Sequence, residues 1–135
     1  MKKILFYFLL VLISSSNYAQ TSKSLLGTWY VAEVIIPKDS FPRDKPGLYD
    51  SLITAFRTCS FQFEDSGKFV FNFSFKEMQV PDGEWTYDAI KKVIKVTEKD
   101  DPRSTLMEIS VESNQEREIY FMLIETPIIL KMRKK

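Results

Sequence analysis

Residues 68–76, Lys-Phe-Val-Phe-Asn-Phe-Ser-Phe-Lys, place Phe69, Phe71, Phe73 and Phe75 at every second position. Side chains along a strand point to opposite faces in turn, so all four rings share one face, with Val70, Asn72 and Ser74 on the other. A strand with one aromatic face has to bury it. Phe61 and Phe63 lie on the same face across the turn Asp65-Ser66-Gly67, where Gly67 supplies the positive φ of a tight hairpin. Trp85 and Tyr87, Ile94 and Val96, Met107, Ile109 and Val111, and Ile119, Phe121 and Leu123 continue the alternation.

Read this way, the chain has eight strands, over 28–36, 58–64, 68–76, 84–88, 92–97, 105–112, 117–124 and 128–132. After the second strand the connections are short, so neighbours pair antiparallel in an up-and-down meander. Eight strands with one apolar face each can close on themselves or fold into a sandwich. Closure removes exposed edges and needs no long crossovers, so the expected fold is all-β, an eight-stranded antiparallel up-and-down barrel. The long connection, 37–57, opens with Pro37, Pro42, Pro46 and Gly47, then places Leu48, Leu52, Ala55 and Phe56 at the spacing of one short amphipathic helix. It shares one barrel end with loops 77–83 and 98–104, while the opposite end is closed by short turns.

The first strand starts at that plain end, where Gly27 lets the chain cross close beneath the barrel and the Trp29 indole plugs the opening. The last strand returns there, bringing Lys131 and Arg133 to the level of Trp29 for a cation–π contact. Gly27-Thr28-Trp29 on the first strand, seven further strands, a large first loop and a basic end to the last strand resemble the lipocalins and the wider group of lipocalin-like barrels. That resemblance implies binding of a small, mostly apolar molecule inside the barrel, with the open-end loops as its entrance. The family's Thr-Asp-Tyr motif is replaced by Ser113-Asn114-Gln115.

The inward-facing set is rich in rings: Phe61, Phe63, Phe69, Phe71, Phe73, Phe75, Trp85, Tyr87 and Phe121. Burying each phenylalanine is worth about 1.5–3 kcal/mol, so the rings either fill the barrel for stability or line a cavity. For a cavity, an apolar chain is expected against Phe61, Phe71, Phe73, Phe75, Trp85, Tyr87 and Phe121. Arg57, in phase with Cys59, Phe61 and Phe63, then meets an acidic head group at the mouth, or pairs with Glu33 or a loop acid. Arg117, in the inward phase at the bottom, is expected to support Trp29. For a filled barrel, the expectation is a protein partner held by residues 37–57, through an exposed patch at Leu48, Leu52 and Phe56.

Residues 1–19 read as a secretory signal: Lys2 and Lys3, ten apolar residues at 4–13, and a small polar stretch ending at Ala19. Ten apolar residues are about half of the ~20 a membrane span needs. No cysteine follows the signal for lipid attachment, so residues 20–135 are expected as one free, monomeric domain, secreted or periplasmic. Setting aside Lys2 and Lys3, 17 basic residues face 18 acidic ones, which argues against a nucleic-acid surface. With one cysteine, Cys59, no disulfide forms within the chain. The absence of histidine removes the commonest general base and metal ligand. No catalytic residues, cofactor or metal site are expected.

Overall fold

Eight antiparallel strands pair in chain order and the first closes on the last, forming a barrel. The computed structural model describes residues 21–40, 46–75 and 80–135. The signal assigned to 1–19 lies outside the described residues, as do 41–45 in the first loop and 76–79 in the third.

A four-residue helix, α1 (Ser22–Leu25), precedes the barrel, capped at Thr21, whose hydroxyl accepts from the Ser24 amide. The strands are β1 (Gly27–Ile35), β2 (Ser60–Phe63), β3 (Lys68–Asn72), β4 (Gly83–Asp88), β5 (Val93–Glu98), β6 (Asp101–Ser113), β7 (Ile119–Leu123) and β8 (Ile129–Lys134). The expected amphipathic helix is present as α2 (Pro46–Arg57).

Two expectations about phase are corrected. Arg57 does not begin a strand: it is the last residue of α2 and is exposed. The helical period runs through Phe56, and β2 starts only at Ser60, so period-two counting back from Phe61 crosses a helix end. Arg117 is likewise exposed, in the β6–β7 turn with φ of 64°. There Asn114 closes the turn by accepting from the amides of Glu116 and Glu118 at 3.1 and 2.9 Å.

Strand ends also differ from the sequence reading, most at β3 and β6. β3 ends at Asn72 and pairs with β4 only through Lys68↔Glu84 and Phe69↔Gly83. β6, by contrast, runs back to Asp101, so most of the expected 98–104 loop is strand. It follows β5 past irregular pairings at Val96–Glu98. Each of the four hairpins from β4 to β8 turns on a non-glycine residue at positive φ: Lys92, Asp100, Arg117 and Glu125.

The core is continuous from Leu25 and Trp29 at the bottom to Ile36 and Phe56 at the mouth. α2 lies on β1 and covers part of the mouth. Tyr49 donates to the Ile36 carbonyl at 3.0 Å, and the Phe56 ring lies 4.8 Å from that of Phe73. The expected exposed patch on this helix is therefore largely turned inward. Phe56 is buried, and Leu48 and Leu52 are half-buried.

Candidate functional site

At the closed end the chain reaches the barrel through α1, which carries the fully buried Leu25 beneath it. The Trp29 indole donates to the Leu25 carbonyl at 2.9 Å, fixing ring and helix together. Gly27 has φ of 118°, and a Cβ there would stand 3.0 Å from Lys134 Cε. The backbone conformation is what favours glycine, since the close contact is with the end of a lysine side chain that can swing aside. The cation over Trp29 is not Arg133. Arg133 pairs with Tyr30 and is exposed, whereas Trp29 pairs with Lys134. Lys134 Nζ sits 5.7 Å from the indole centroid and donates to the Ser24 carbonyl at 2.9 Å. The expected basic strand end is present, one residue later than the sequence reading placed it.

Above this floor the lumen holds aromatic rings in mutual contact. Phe121, from β7, lies 5.5 Å from Trp29 on β1, and 5.5 and 6.1 Å from Phe61 and Phe63 on β2. Phe63 meets Phe69 at 5.3 Å and Trp85 at 5.2 Å, the latter edge-on. Phe61 stacks on Phe71 at 4.6 Å. These are the separations of packed aromatic pairs, each favourable by about 0.5–1.5 kcal/mol beyond burial. Phe61, Phe63, Phe69 and Phe121 are essentially inaccessible to solvent. The Trp85 indole is satisfied by the Glu64 carbonyl at 2.9 Å.

Towards the mouth the column continues as a ladder on one strand and its extension. Phe71 stacks on Phe73 at 5.0 Å and 10°, and Phe73 lies 6.3 Å from Phe75. Phe73 and Phe75 are half-buried. The ring residues of the sequence-predicted site are thus split: Phe61, Phe71, Trp85 and Phe121 belong to the packed interior, and Phe73 and Phe75 to the rim. Arg57 stands outside, on the helix that carries Phe56.

Two buried heteroatoms complete the interior. Tyr87 is half-buried, and its hydroxyl, itself shielded from solvent, has no hydrogen-bond partner among the described residues. Desolvation first, then the charges of Glu112 and Asp88, pushes its pKa upward. Burial pushes the Cys59 thiol up to about 12, which keeps it protonated and unreactive. Outside the barrel wall, Lys131 binds Glu118 in an ion pair that, with a hydrogen bond from Asn114, lowers the Glu118 carboxyl to about 2.

A feature the sequence reading missed lies at the open end. Beside β6 is a cleft of about 480 Å³ lined by Thr105, Leu106, Met107, Glu108, Leu123, Ile124, Glu125 and Thr126. Its signal in the sequence was Pro102 followed by residues 103–112, which read as loop and then strand but form one long strand. Among the described residues, no group of three His, Cys, Asp or Glu is placed to hold a metal, and no helix is long and apolar enough to cross a membrane.

No protein-family model matches the chain, and no curated protein matches it. Among solved structures, the chain is similar to the crystal structure of a DUF4847 family protein from Bacteroides vulgatus. The TM-score is 0.46 at 12% identity, covering 90% of this chain and 99% of that one.

Proposed function

We propose that this protein is an exported, lipocalin-like barrel with a filled lumen, acting without catalysis as an interaction module that holds a partner protein at its open end. The observation that carries this reading is ring-to-ring contact across the lumen, with Phe121 of β7 touching Phe61 and Phe63 of β2 and Trp29 of β1. A ligand there would have to displace buried rings already in mutual contact, and forcing extra volume into such a core is costly. The elaborated end, with α2 and the β5–β6 and β7–β8 turns, is where the surface departs from a plain barrel. The lack of histidine and the inert Cys59 support a binding role over a chemical one.

The test pairs two screens on the mature protein. A thermal-shift series with fatty acids, isoprenoids and tetrapyrroles should leave the melting temperature unchanged, since a ligand that binds only the folded state raises it by mass action. A peptide-display selection should enrich ligands whose binding protects open-end amides, in 46–57, 101–108 or 123–128, from hydrogen exchange. A large shift with one apolar ligand and no enriched peptide would reverse the proposal.

One observation favours a second reading. The half-buried Phe73 and Phe75 extend the aromatic column to the rim. A small apolar molecule with an acidic head would then lie across these rings at the mouth, above the packed interior. A melting-temperature rise lost in Phe73→Ala but retained in Phe121→Ala would mark this reading.

A further inference from the structure

β6 is more than twice as long as β7, and the excess is paired on one side only. Its ladder to β7 spans Ile109–Ser113, opposite Leu123 back to Ile119, and stops where the Ile124 amide donates to the Glu108 carbonyl at 3.0 Å. Residues 101–108 continue beyond that point with β5 as their strand neighbour. Such a strand edge is a template for another chain unless it is blunted. Pro102 blunts the outer tip, because proline has no amide to offer. Ser104 to Met107 have no such protection.

The β7–β8 turn does not fold over this edge, because its own hydrogen bonds hold it elsewhere. The Leu123 amide donates to the Ile128 carbonyl at 3.1 Å. Thr126 donates its hydroxyl to the Leu123 carbonyl at 2.8 Å and accepts from the Ile128 amide at 3.1 Å. The cleft of about 480 Å³ is the space left between the turn and the strand. Leu106, Met107, Leu123 and Ile124 give it an apolar lining. Two carboxylates, Glu108 and Glu125, rim it without a salt-bridge partner among the described residues, and no lysine or arginine lines it.

We propose that this edge accepts an extended segment of a partner protein as an added strand along Ser104 to Met107, the segment carrying apolar side chains for the cleft and basic ones for the Glu108 and Glu125 carboxylates. Backbone hydrogen bonds supply affinity in this mode, and the alternating side chains supply the choice of partner. Lys95 of β5 stands opposite Glu108 in the strand register without forming an ion pair with it, so an acidic strand would still set like charge against both carboxylates. The proposal rests on the open-end interaction reading above and gives it a site and a partner chemistry.

The probe is a labelled seven-residue peptide alternating lysine and isoleucine, followed by fluorescence anisotropy with the mature protein. Three comparisons accompany it: the glutamate–isoleucine peptide, the lysine peptide N-methylated at alternate amides, and the protein variant Glu108→Gln/Glu125→Gln, with its fold checked by its melting curve. The expected result is saturable binding of the lysine peptide and protection of the 104–107 amides from hydrogen exchange. Binding should be lost on N-methylation and to the acidic peptide, and weakened about five-fold or more in the double variant, the scale of two exposed ion pairs. Equal binding of the N-methylated peptide would overturn strand addition. So would self-association of the protein through this edge, seen as a concentration-dependent dimer in sedimentation. Protection confined to 46–57 would overturn this site but leave the interaction reading standing. Absence of any open-end protection, together with a lumen ligand that raises the melting temperature, would overturn both.

Discussion

Trp29 does two things at once, filling the barrel floor with its ring and tying α1 to it through the 2.9 Å bond to the Leu25 carbonyl. Trp29→Ala should therefore cost about 3–5 kcal/mol in a denaturant titration, the usual scale for emptying a buried aromatic site. Lys134→Ala should cost about 0.5–1 kcal/mol, the worth of an exposed cation–π contact. Arg133→Ala should lie within the error of wild type, because Arg133 does not reach the indole; a larger loss there than at Lys134 would contradict the register Trp29↔Lys134. Cys59 offers a second check. Its thiol is pushed up to about 12 from 9.0, so the folded state holds the proton more tightly than the unfolded chain. The associated stability is present below about pH 9 and drains away as pH rises towards 12. At pH 8, a disulfide reagent should label Cys59 only at the rate of unfolding, and rapid labelling of the native protein would show that the thiol is accessible.

Between elements, contacts are unequal around the barrel. β3 and β4 share two residue pairs, and the chain enters β4 at the buried Gly83. A Cβ on Gly83 would stand 2.5 Å from the Thr97 carbonyl oxygen, a backbone atom that cannot swing aside. Gly83→Ala should lower stability by about 1–3 kcal/mol or more, the cost of overpacking, with a melting curve as the measure. Glu118, just before β7, pairs with Lys131 of β8. Because this pair and Asn114 depress the Glu118 carboxyl from 4.5 to about 2, the unfolded chain takes up this proton first on acidification. Its contribution is complete above about pH 4.5 and disappears as pH falls to about 2. Melting temperatures between pH 5 and 2 should fall less steeply in Glu118→Gln than in wild type, and parallel curves would refute the pairing.

Sequence alone revealed the elements better than their ends. Alternation at Phe61/Phe63, Phe69/Phe71 and Trp85/Tyr87 is a direct imprint of strand geometry, and the 48–56 spacing an imprint of a helix. Neither period says where it stops. For Arg57 and Arg117 the strand period runs past a helix end and into a turn at positive φ, where side-chain direction resets and both leave the inward face. α1 is too short to leave a period and is fixed by its cap and by Trp29. The length of β6 depends on its irregular pairing with β5, a relation between distant residues that no local pattern carries.

For the whole molecule, the sequence located the aromatic interior but could not say whether nine rings fill or merely line it. That depends on how side chains from strands that are not neighbours approach one another inside the barrel. In the folded chain Phe121 reaches Phe61, Phe63 and Trp29 directly, while Glu108 and Glu125 line a cleft at the rim, where no local sequence pattern sets them apart from other surface acids. Xenon tests this central claim most directly, since it enters any dry apolar cavity of sufficient size. Under xenon pressure, methyl signals of the lumen residues Ile94, Val96, Ile109 and Leu130 should not shift in the wild-type protein. They should shift and saturate in Phe121→Ala, where a ring's volume has been opened at the centre of the stack. Saturable xenon shifts in the wild-type lumen would contradict the filled barrel and return the interior to ligand binding.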